Sequence, residues 1–303
     1  MQTIIAHPNF EYLADEIVKL NPNTKKAKVK FETFKDSWPN IFIENIDDDI
    51  EHQVITYIWD YSRPEYLFTN YSIVRWLLGY HADKLRVIVP FFPVWTMERI
   101  SKKWEVATSK YFADILSHIP SWRNQKTSIH IYDIHTLEQR FFFDDFKVNA
   151  ELHTATNIIK QNISPETIIV FPDAWAKKRF GKDFEWFEII TCSKVRVWDS
   201  REITIDEWNP KNKDLIIIDD LIQSWGTIIE TAKVLKNLWA KTVSGFATHW
   251  VFVEKSYLKL CQNLDRLYTT DSIPKNMENA KEISNLKVLS LASDINKKII
   301  NNY

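Results

Sequence analysis

Glycine is almost missing from this 303-residue chain: there are 4, where ordinary usage of about 7% would supply roughly 21. Any reading has to explain that deficit. Cysteine is scarce too, with only Cys192 and Cys261, which argues against a disulfide framework and favours a reducing compartment. No apolar run approaches the ~20 residues that cross a bilayer. Met1 to Phe10 lacks a basic stretch leading into a long apolar core, so no signal peptide is expected, no membrane association, and a cytoplasmic location. A net charge of -1 gives no electrostatic basis for broad nucleic-acid binding. The sequence contains no G-x-x-x-x-G-K-[ST], no metal-type C-x-x-C, no H-E-x-x-H and no G-x-S-x-G. In excess, instead, is tryptophan, with 13.

The length suits two domains, and the pattern alternates strand and helix throughout, the signature of parallel sheets covered on both faces. Strands are expected at Ile4-Ile5-Ala6, Ile41-Phe42-Ile43, Val54 to Ile58, Leu85 to Phe92 and Ser128 to Tyr132. Helical spacing runs over Phe10 to Leu20, Tyr66 to Tyr80 and Ala107 to Ile119. The second half repeats the scheme. It has a helix over Ala150 to Ile163, strands at Ile168 to Phe171 and Phe187 to Cys192, and a polar segment over Ser193 to Asp214. Later come a strand at Leu215 to Ile218, a helix over Thr227 to Leu238, a strand at Thr242 to Thr248 and a final helix over Ala292 to Ile300. The fold class is α/β: two similar doubly wound domains with mainly parallel sheets, divided as 1–148 and 149–303, the last helix packing back on the first domain.

Chemistry concentrates where strands stop. Four apolar residues, Leu215 to Ile218, read as a strand buried on both faces, and Asp219-Asp220 stand at its end. Gln223-Ser224-Trp225-Gly226-Thr227 then turns into a helix, a place where backbone N–H groups and the helix terminus can hold a phosphate. Two further strands end in acid, at Tyr132-Asp133 and Pro172-Asp173. Asp after a strand is as often a turn former or helix cap. His135, two residues past Asp133, could join an oxygen-rich divalent-metal site, although a single histidine is more often plain polar surface. Lys194 and Arg196, at i and i+2, would share a side of an extended segment. Two cations beside a phosphate turn suit phosphoryl transfer, and equally describe a solvated loop.

Asp219-Asp220 followed by the turn and helix resembles the phosphoribosyl-pyrophosphate motif of type I phosphoribosyltransferases. Pro90-Phe91-Phe92-Pro93-Val94-Trp95-Thr96-Met97-Glu98-Arg99 is similar to the ATP-site stretch of ribose-phosphate pyrophosphokinases, in the variant form common in plants. Ile131 to His135 with Arg140 to Phe143, Phe171-Pro172-Asp173, Lys178-Arg179-Phe180, Lys194-Val195-Arg196, Thr248-His249 and Thr270-Asp271-Ser272 follow in that family's order, so the resemblance spans about Ile4 to Ile300. It implies transfer of the diphosphoryl group of ATP to the 1-hydroxyl of ribose 5-phosphate, with Mg²⁺, in a homo-oligomer. It assigns catalysis to Lys194 and Arg196, the ribose hydroxyls to Asp219 and Asp220, and the 5-phosphate to Gln223, Ser224, Trp225, Gly226 and Thr227. ATP falls to Asp36, Ser37, Trp38, Thr96, Met97, Glu98 and Arg99, and the metal to His135 and Asp173. Thr96 and Met97 replace Arg-Gln of the commoner form, and Gln223 replaces an Asp. Two other readings are an inactive regulatory subunit and a phosphoribosyltransferase that consumes the same product.

The tryptophans fit this resemblance in an unusual way. Trp95, Trp104, Trp175, Trp198, Trp208, Trp225, Trp239 and Trp250 stand where the family pattern has glycine. Two of them contradict local physics as well. Trp225 lies in a turn whose backbone should approach a phosphate, and Trp239 follows a helix where a left-handed residue is preferred. A translation that reads UGA as tryptophan, in a cell that reads it as glycine, accounts for one replacement residue recurring at glycine positions.

Overall fold

The computed structural model describes residues 2–79, 82–94, 97–121, 125–197, 200–205, 210–222, 226–251 and 257–301. The chain forms two compact units, one from residues 1–153 with 291–303, the other from 154–290. The strands are β1 (Gln2–Ala6), β2 (Thr24–Lys26), β3 (Val29–Thr33), β4 (Pro39–Ile43), β5 (Val54–Ile58), β6 (Lys84–Val89), β7 (Thr127–Tyr132), β8 (Val148–His153), β9 (Ile168–Phe171), β10 (Ile189–Val197), β11 (Ser200–Ile205), β12 (Asp214–Ile222), β13 (Thr242–Trp250), β14 (Leu267–Thr270) and β15 (Leu286–Leu289).

In the first unit, the described residues form a parallel sheet of order β2-β1-β5-β6-β7-β8. Its central strands are buried on both faces, one apolar and the other carrying Thr56, Arg86, Ser128 and His130. Ile55, Tyr57, Val87, Val89, Ile129 and Ile131 are buried on one face with Val74, Leu77 and Leu116 from helices Tyr66–Gly79 and Thr108–Ser117. A separate antiparallel hairpin, β3-β4, carries Asp36-Ser37-Trp38 at its tip. Residues from 291 onward return to this unit, where Asn21 Nδ2 donates to Asn296 Oδ1 at 3.2 Å and Tyr132 Oη donates to Asp294 Oδ2 at 2.9 Å.

The second unit has a sheet of order β11-β10-β9-β12-β13-β14-β15, parallel except for the β10-β11 pair at its edge. Leu215, Ile216, Ile217 and Ile218 on β12 are all essentially without solvent contact. Burying each such side chain contributes about 1.5–3 kcal/mol, and this fixes β12 as the strand around which the unit is built. The α/β class with mainly parallel sheets expected from the alternation is therefore observed in both units.

Two segments differ from the expectation. The periodicity over Ala150 to Ile163 suggests one helix, but Val148–His153 is the edge strand β8 and only Thr156–Lys160 is helical. A half-exposed edge strand alternates polar and apolar residues, and over six residues that alternation is easily taken for one helical face. The polar stretch after Cys192, to which the sequence assigns no regular element, continues β10 to Val197 and returns as β11. Its pairing is carried by the backbone, with Lys194 opposite Ile203 and Arg196 opposite Arg201.

Backbone geometry bears directly on the tryptophans. Trp239, two residues past the end of helix Gly226–Asn237, has φ 64°, and Trp104 has φ 71°. The Ala240 N–H bonds back to Leu235 O at 3.2 Å and the Trp239 N–H to Lys236 O at 3.0 Å, the paired closure of a helix end in which a left-handed residue is wanted. Left-handed geometry costs a residue with a Cβ about 1–2 kcal/mol. Trp239 and Trp104 are 75% and 86% exposed, so little packing of the indole offsets it. Trp175 is exposed with ordinary backbone geometry, and Trp250 is buried in the second core. Trp95, Trp198, Trp208 and Trp225 lie outside the described residues. Trp239→Gly should raise the free energy of unfolding by about 1 kcal/mol, read as a higher denaturant midpoint at unchanged slope. An unchanged or lower midpoint would show that the indole contributes more than the backbone strain removes.

Candidate active site

In the second unit, parallel pairing of β9, β12, β13 and β14 brings their carboxyl ends to one edge, the place where open α/β sheets bind ligands. Asp173 follows β9, Asp219 and Asp220 lie near the end of β12, His249 near the end of β13, and Asp271-Ser272 follow β14. Asp219 Oδ1 accepts from the Asp220 N–H at 2.9 Å, and Asp220 is buried. His249 Nδ1 lies 2.8 Å from Ser272 Oγ, which donates to Thr248 O at 3.0 Å, while Thr270 Oγ1 donates to the same carbonyl at 2.8 Å. Thr248-His249 and Thr270-Asp271-Ser272, separate in sequence, are thus one hydrogen-bonded wall beside the acids.

Asp219 is the strained member. Burial pushes its carboxyl well above the usual carboxylate range, the negative charge of Asp220 pushes it further, and Asp173 adds to this from the neighbouring strand. Part of the residue reaches solvent, yet protein surrounds the carboxyl itself, so the direction follows its local packing. Asp173 also caps a helix: its Oδ1 accepts from the N–H groups of Trp175 at 3.1 Å and Ala176 at 3.0 Å. The capping reading of a strand-end Asp therefore holds at Asp173, alongside its electrostatic contact with Asp219.

The remaining sequence candidates divide by unit. Gly226 and Thr227 open helix Gly226–Asn237, whereas Gln223, Ser224 and Trp225 lie outside the described residues. Lys194 and Arg196 occupy alternate positions on β10. In the first unit, His135 is half-buried just beyond β7. Thr96 lies outside the described residues; Met97 O accepts from the Ser109 N–H at 3.3 Å, and Glu98 Oε1 accepts from Arg99 Nε at 2.9 Å.

Asp36, Ser37 and Trp38 line a cleft of 520 Å³ within the first unit, a size that suits a small ligand. Its walls include groups that no sequence motif suggested: His7, Asn9, Phe31, Tyr66 and Phe68. Trp38 meets Phe68 edge-to-face at 5.1 Å, and His7 lies 4.5 Å from Tyr66 and 5.8 Å from Phe31. Asn9 Nδ2 donates to Asp60 Oδ2 at 2.6 Å, and His7 Nδ1 lies 3.7 Å from the same oxygen. Burial lowers the His7 pKa against the opposing pull of Asp60, so the imidazole favours its neutral form. Aromatic residues at spacings of tens of positions leave no local signature. Only the return of the β3-β4 hairpin toward helix Tyr66–Gly79 assembles them.

Relatives place this geometry. The chain is 34% identical over 93% of its length to "Ribose-phosphate pyrophosphokinase 3, chloroplastic" of Oryza sativa subsp. japonica, covering 72% of that protein. It is 34% identical over 94% of its length to "Ribose-phosphate pyrophosphokinase 4" of Arabidopsis thaliana, covering 88% of it. The chain belongs to the ribose-phosphate pyrophosphokinase family. The plant affinity agrees with the variant ATP-site stretch read from Pro90 to Arg99. No protein-family model matches the chain. Its fold matches the crystal structure of phosphoribosylpyrophosphate synthetase from Mycobacterium smegmatis with a TM-score of 0.80 at 19% identity, covering 99% of this chain and 98% of that one. Among the described residues, no helix is long and apolar enough to cross a membrane.

The raised Asp219 pKa has a testable sign. The folded chain binds this proton more tightly than the unfolded chain does, so stability contributed by the protonated form is present in acid. It is lost as pH rises from about 4 toward the folded pKa. Asp219→Asn should unfold at a higher temperature than the parent at pH 8, and the two should converge near pH 4. A constant difference across that range would mean the carboxyl is not the source of the strain.

Proposed function

We propose that this chain transfers the β,γ-diphosphoryl group of ATP to the 1-hydroxyl of ribose 5-phosphate, releasing AMP. The observation that carries the reading, in a chain of this family, is the Asp219–Asp220 pair with Asp173 at adjacent strand ends. Two carboxyl groups held side by side offer several oxygens to the vicinal hydroxyls of a sugar. They orient the sugar, and substrate binding relieves part of their mutual repulsion. Helix Gly226–Asn237 offers its N-terminal N–H groups to the 5-phosphate. Lys194 and Arg196, at alternate positions of β10, would neutralise charge on the transferring group, and Arg196 would also hold substrate phosphate. No covalent intermediate is needed, because the attacking group is the sugar hydroxyl and the work is positioning and charge neutralisation.

The nucleotide side belongs to the first unit in this reading. The cleft at Trp38 offers aromatic edges and faces to a base, and Glu98, Arg99 and Met97 form a second short cluster. Mg²⁺ fits the donor set: it takes carboxylate oxygens and retains waters and substrate phosphates, and the excess negative charge around Asp219 is what a divalent cation would offset. When bound, it supplies charge neutralisation to the phosphates. His135 and Asp173 are the residues assigned to it. A cytoplasmic location and a homo-oligomer complete the proposal. The absence of a disulfide at Cys192 and Cys261 supports the former, and Phe141 and Phe146, both largely exposed on the first unit, support the latter.

The test uses chain made with glycine at the eight tryptophan positions, beside the chain as written. With ATP, Mg²⁺ and ribose 5-phosphate, the glycine form should produce AMP and a phosphoribosyl diphosphate in equal amounts. Folded protein giving neither would overturn the reading, and UGG codons at those positions would remove the basis for the glycine form. Lys194→Ala should lower kcat by about 1,000-fold with little change in folding, and full retained rate would refute its role. Trp38→Ala should raise the KM for ATP while leaving that for ribose 5-phosphate in place.

A further inference from the structure

Away from these groups, the outer edge of the first sheet carries a cluster that the proposed reaction does not use. His130 on β7 and Glu151 on β8 are register partners, and His153 lies two residues further along β8, paired with Tyr132. Residues i and i+2 of a strand share a face, so all three side chains rise from one side of two neighbouring strands. His130 Nδ1 is 2.9 Å from His153 Nε2 and 3.6 Å from Glu151 Oε2, and one ligand-capable atom from each residue lies within 4.8 Å of the other two. At 3.6 Å the carboxylate is too far to be hydrogen-bonded to that nitrogen. Three donors therefore converge on a point that one shared proton cannot satisfy.

We propose that His130, His153 and Glu151 form a binding site for a Zn²⁺-type divalent transition ion, distinct from the magnesium used with ATP. Two imidazole nitrogens and one carboxylate oxygen, with a water in the fourth position, are a recurrent zinc donor set. Bonds of about 2.0–2.2 Å in tetrahedral array separate ligand atoms by roughly 3.3–3.5 Å, between the two distances observed, so small side-chain rotations suffice. Both histidines are available as ligands in their neutral form. Burial, then the neighbouring His153, Arg86 and Lys84, lowers the His130 pKa to about 3, and burial, then Lys298, lowers that of His153. Those three cations oppose a dication, and Glu151, Asp294 and Asp133 oppose them in turn.

The surroundings orient the ligands. Asn149 Nδ2 donates to Glu151 Oε1 at 2.7 Å, which turns the other oxygen toward the histidines. The Tyr132 ring packs 5.5 Å from His153 while its hydroxyl holds Asp294, which also pairs with Lys298 at 2.9 Å. Partners of this kind fix ligand rings and raise metal affinity. Magnesium is a poor competitor, since it prefers oxygen donors in an octahedron. The ion would act as a tie across β7 and the edge strand β8, whose only sheet partner in the described residues is β7.

The experiment titrates the full chain with Co²⁺ in excess Mg²⁺, reading the visible ligand-field bands of a four-coordinate nitrogen–oxygen site, and then displaces the Co²⁺ with Zn²⁺. One ion per chain is expected, with affinity falling at least about 100-fold in Glu151→Gln and His153→Ala and unchanged in His135→Ala. Zn²⁺ should raise the melting temperature of the parent by several degrees and leave that of Glu151→Gln unmoved. Absence of the bands, or full affinity in Glu151→Gln, overturns the proposal. Loss in His135→Ala with retention in Glu151→Gln would assign the ion to the ATP-side residues instead. Because Glu151→Gln keeps the shape of a half-exposed side chain, it decides the matter even where His153→Ala fails to fold. None of these readouts depends on AMP formation, so failure here and failure of the proposed reaction remain distinguishable.

Discussion

Parallel pairing of buried strands is the constraint on which the rest of the second unit depends. Once β9, β12, β13 and β14 lie side by side in one direction, whatever residue follows each strand must appear on the same edge. The apolar run Leu215 to Ile218 makes that pairing strong and also delivers two adjacent carboxyl groups to a place where water is partly excluded. Stability and chemical strain thus come from the same strand. The helix after β12 and the hydrogen-bonded threonine, histidine and serine beside it then shape the space around those acids.

How much of this was legible depended on the range of each interaction. Strands of four to six apolar residues and helices such as Glu11–Leu20 were readable because burial imposes a local period. The acids at Asp173 and Asp219-Asp220 were readable because they abut such strands. Edge strand β8 was not, since a strand covered on one side mixes polar and apolar residues over too short a span. The cleft walls at His7, Phe31, Tyr66 and Phe68, and the His130–Glu151–His153 cluster, were equally hidden. Their members meet only through register between strands or the return of a hairpin, which no single stretch encodes. The resemblance supplied what periodicity could not, namely which strand-end acids belong to one reaction.

The tryptophans separate two kinds of constraint that glycine satisfies. At Trp239 and Trp104 the constraint is conformational, written in the sign of φ and visible wherever the backbone is described. At Trp250 the chain accommodates an indole inside the core without a positive φ, so a requirement for glycine there would be one of space rather than of backbone conformation. The first kind affects how firmly the protein folds, the second what it can admit. Only the second bears on catalysis.

Residues 291 to 301 pack with the first unit although the whole second unit intervenes in the chain. Gln2 Nε2 donates to Ile300 O at 3.2 Å and Asn21 Nδ2 donates to Asn301 Oδ1 at 2.9 Å, so the opening strand and first helix find their last partners nearly 300 positions later. During synthesis the first unit emerges early and must wait, with that surface uncovered, while the second is made and folds. Completion of the older half is therefore timed by the emergence of residues 291 to 301. A nascent chain that stalls before residue 291 would expose this gap to chaperones or proteases even with its second unit fully folded.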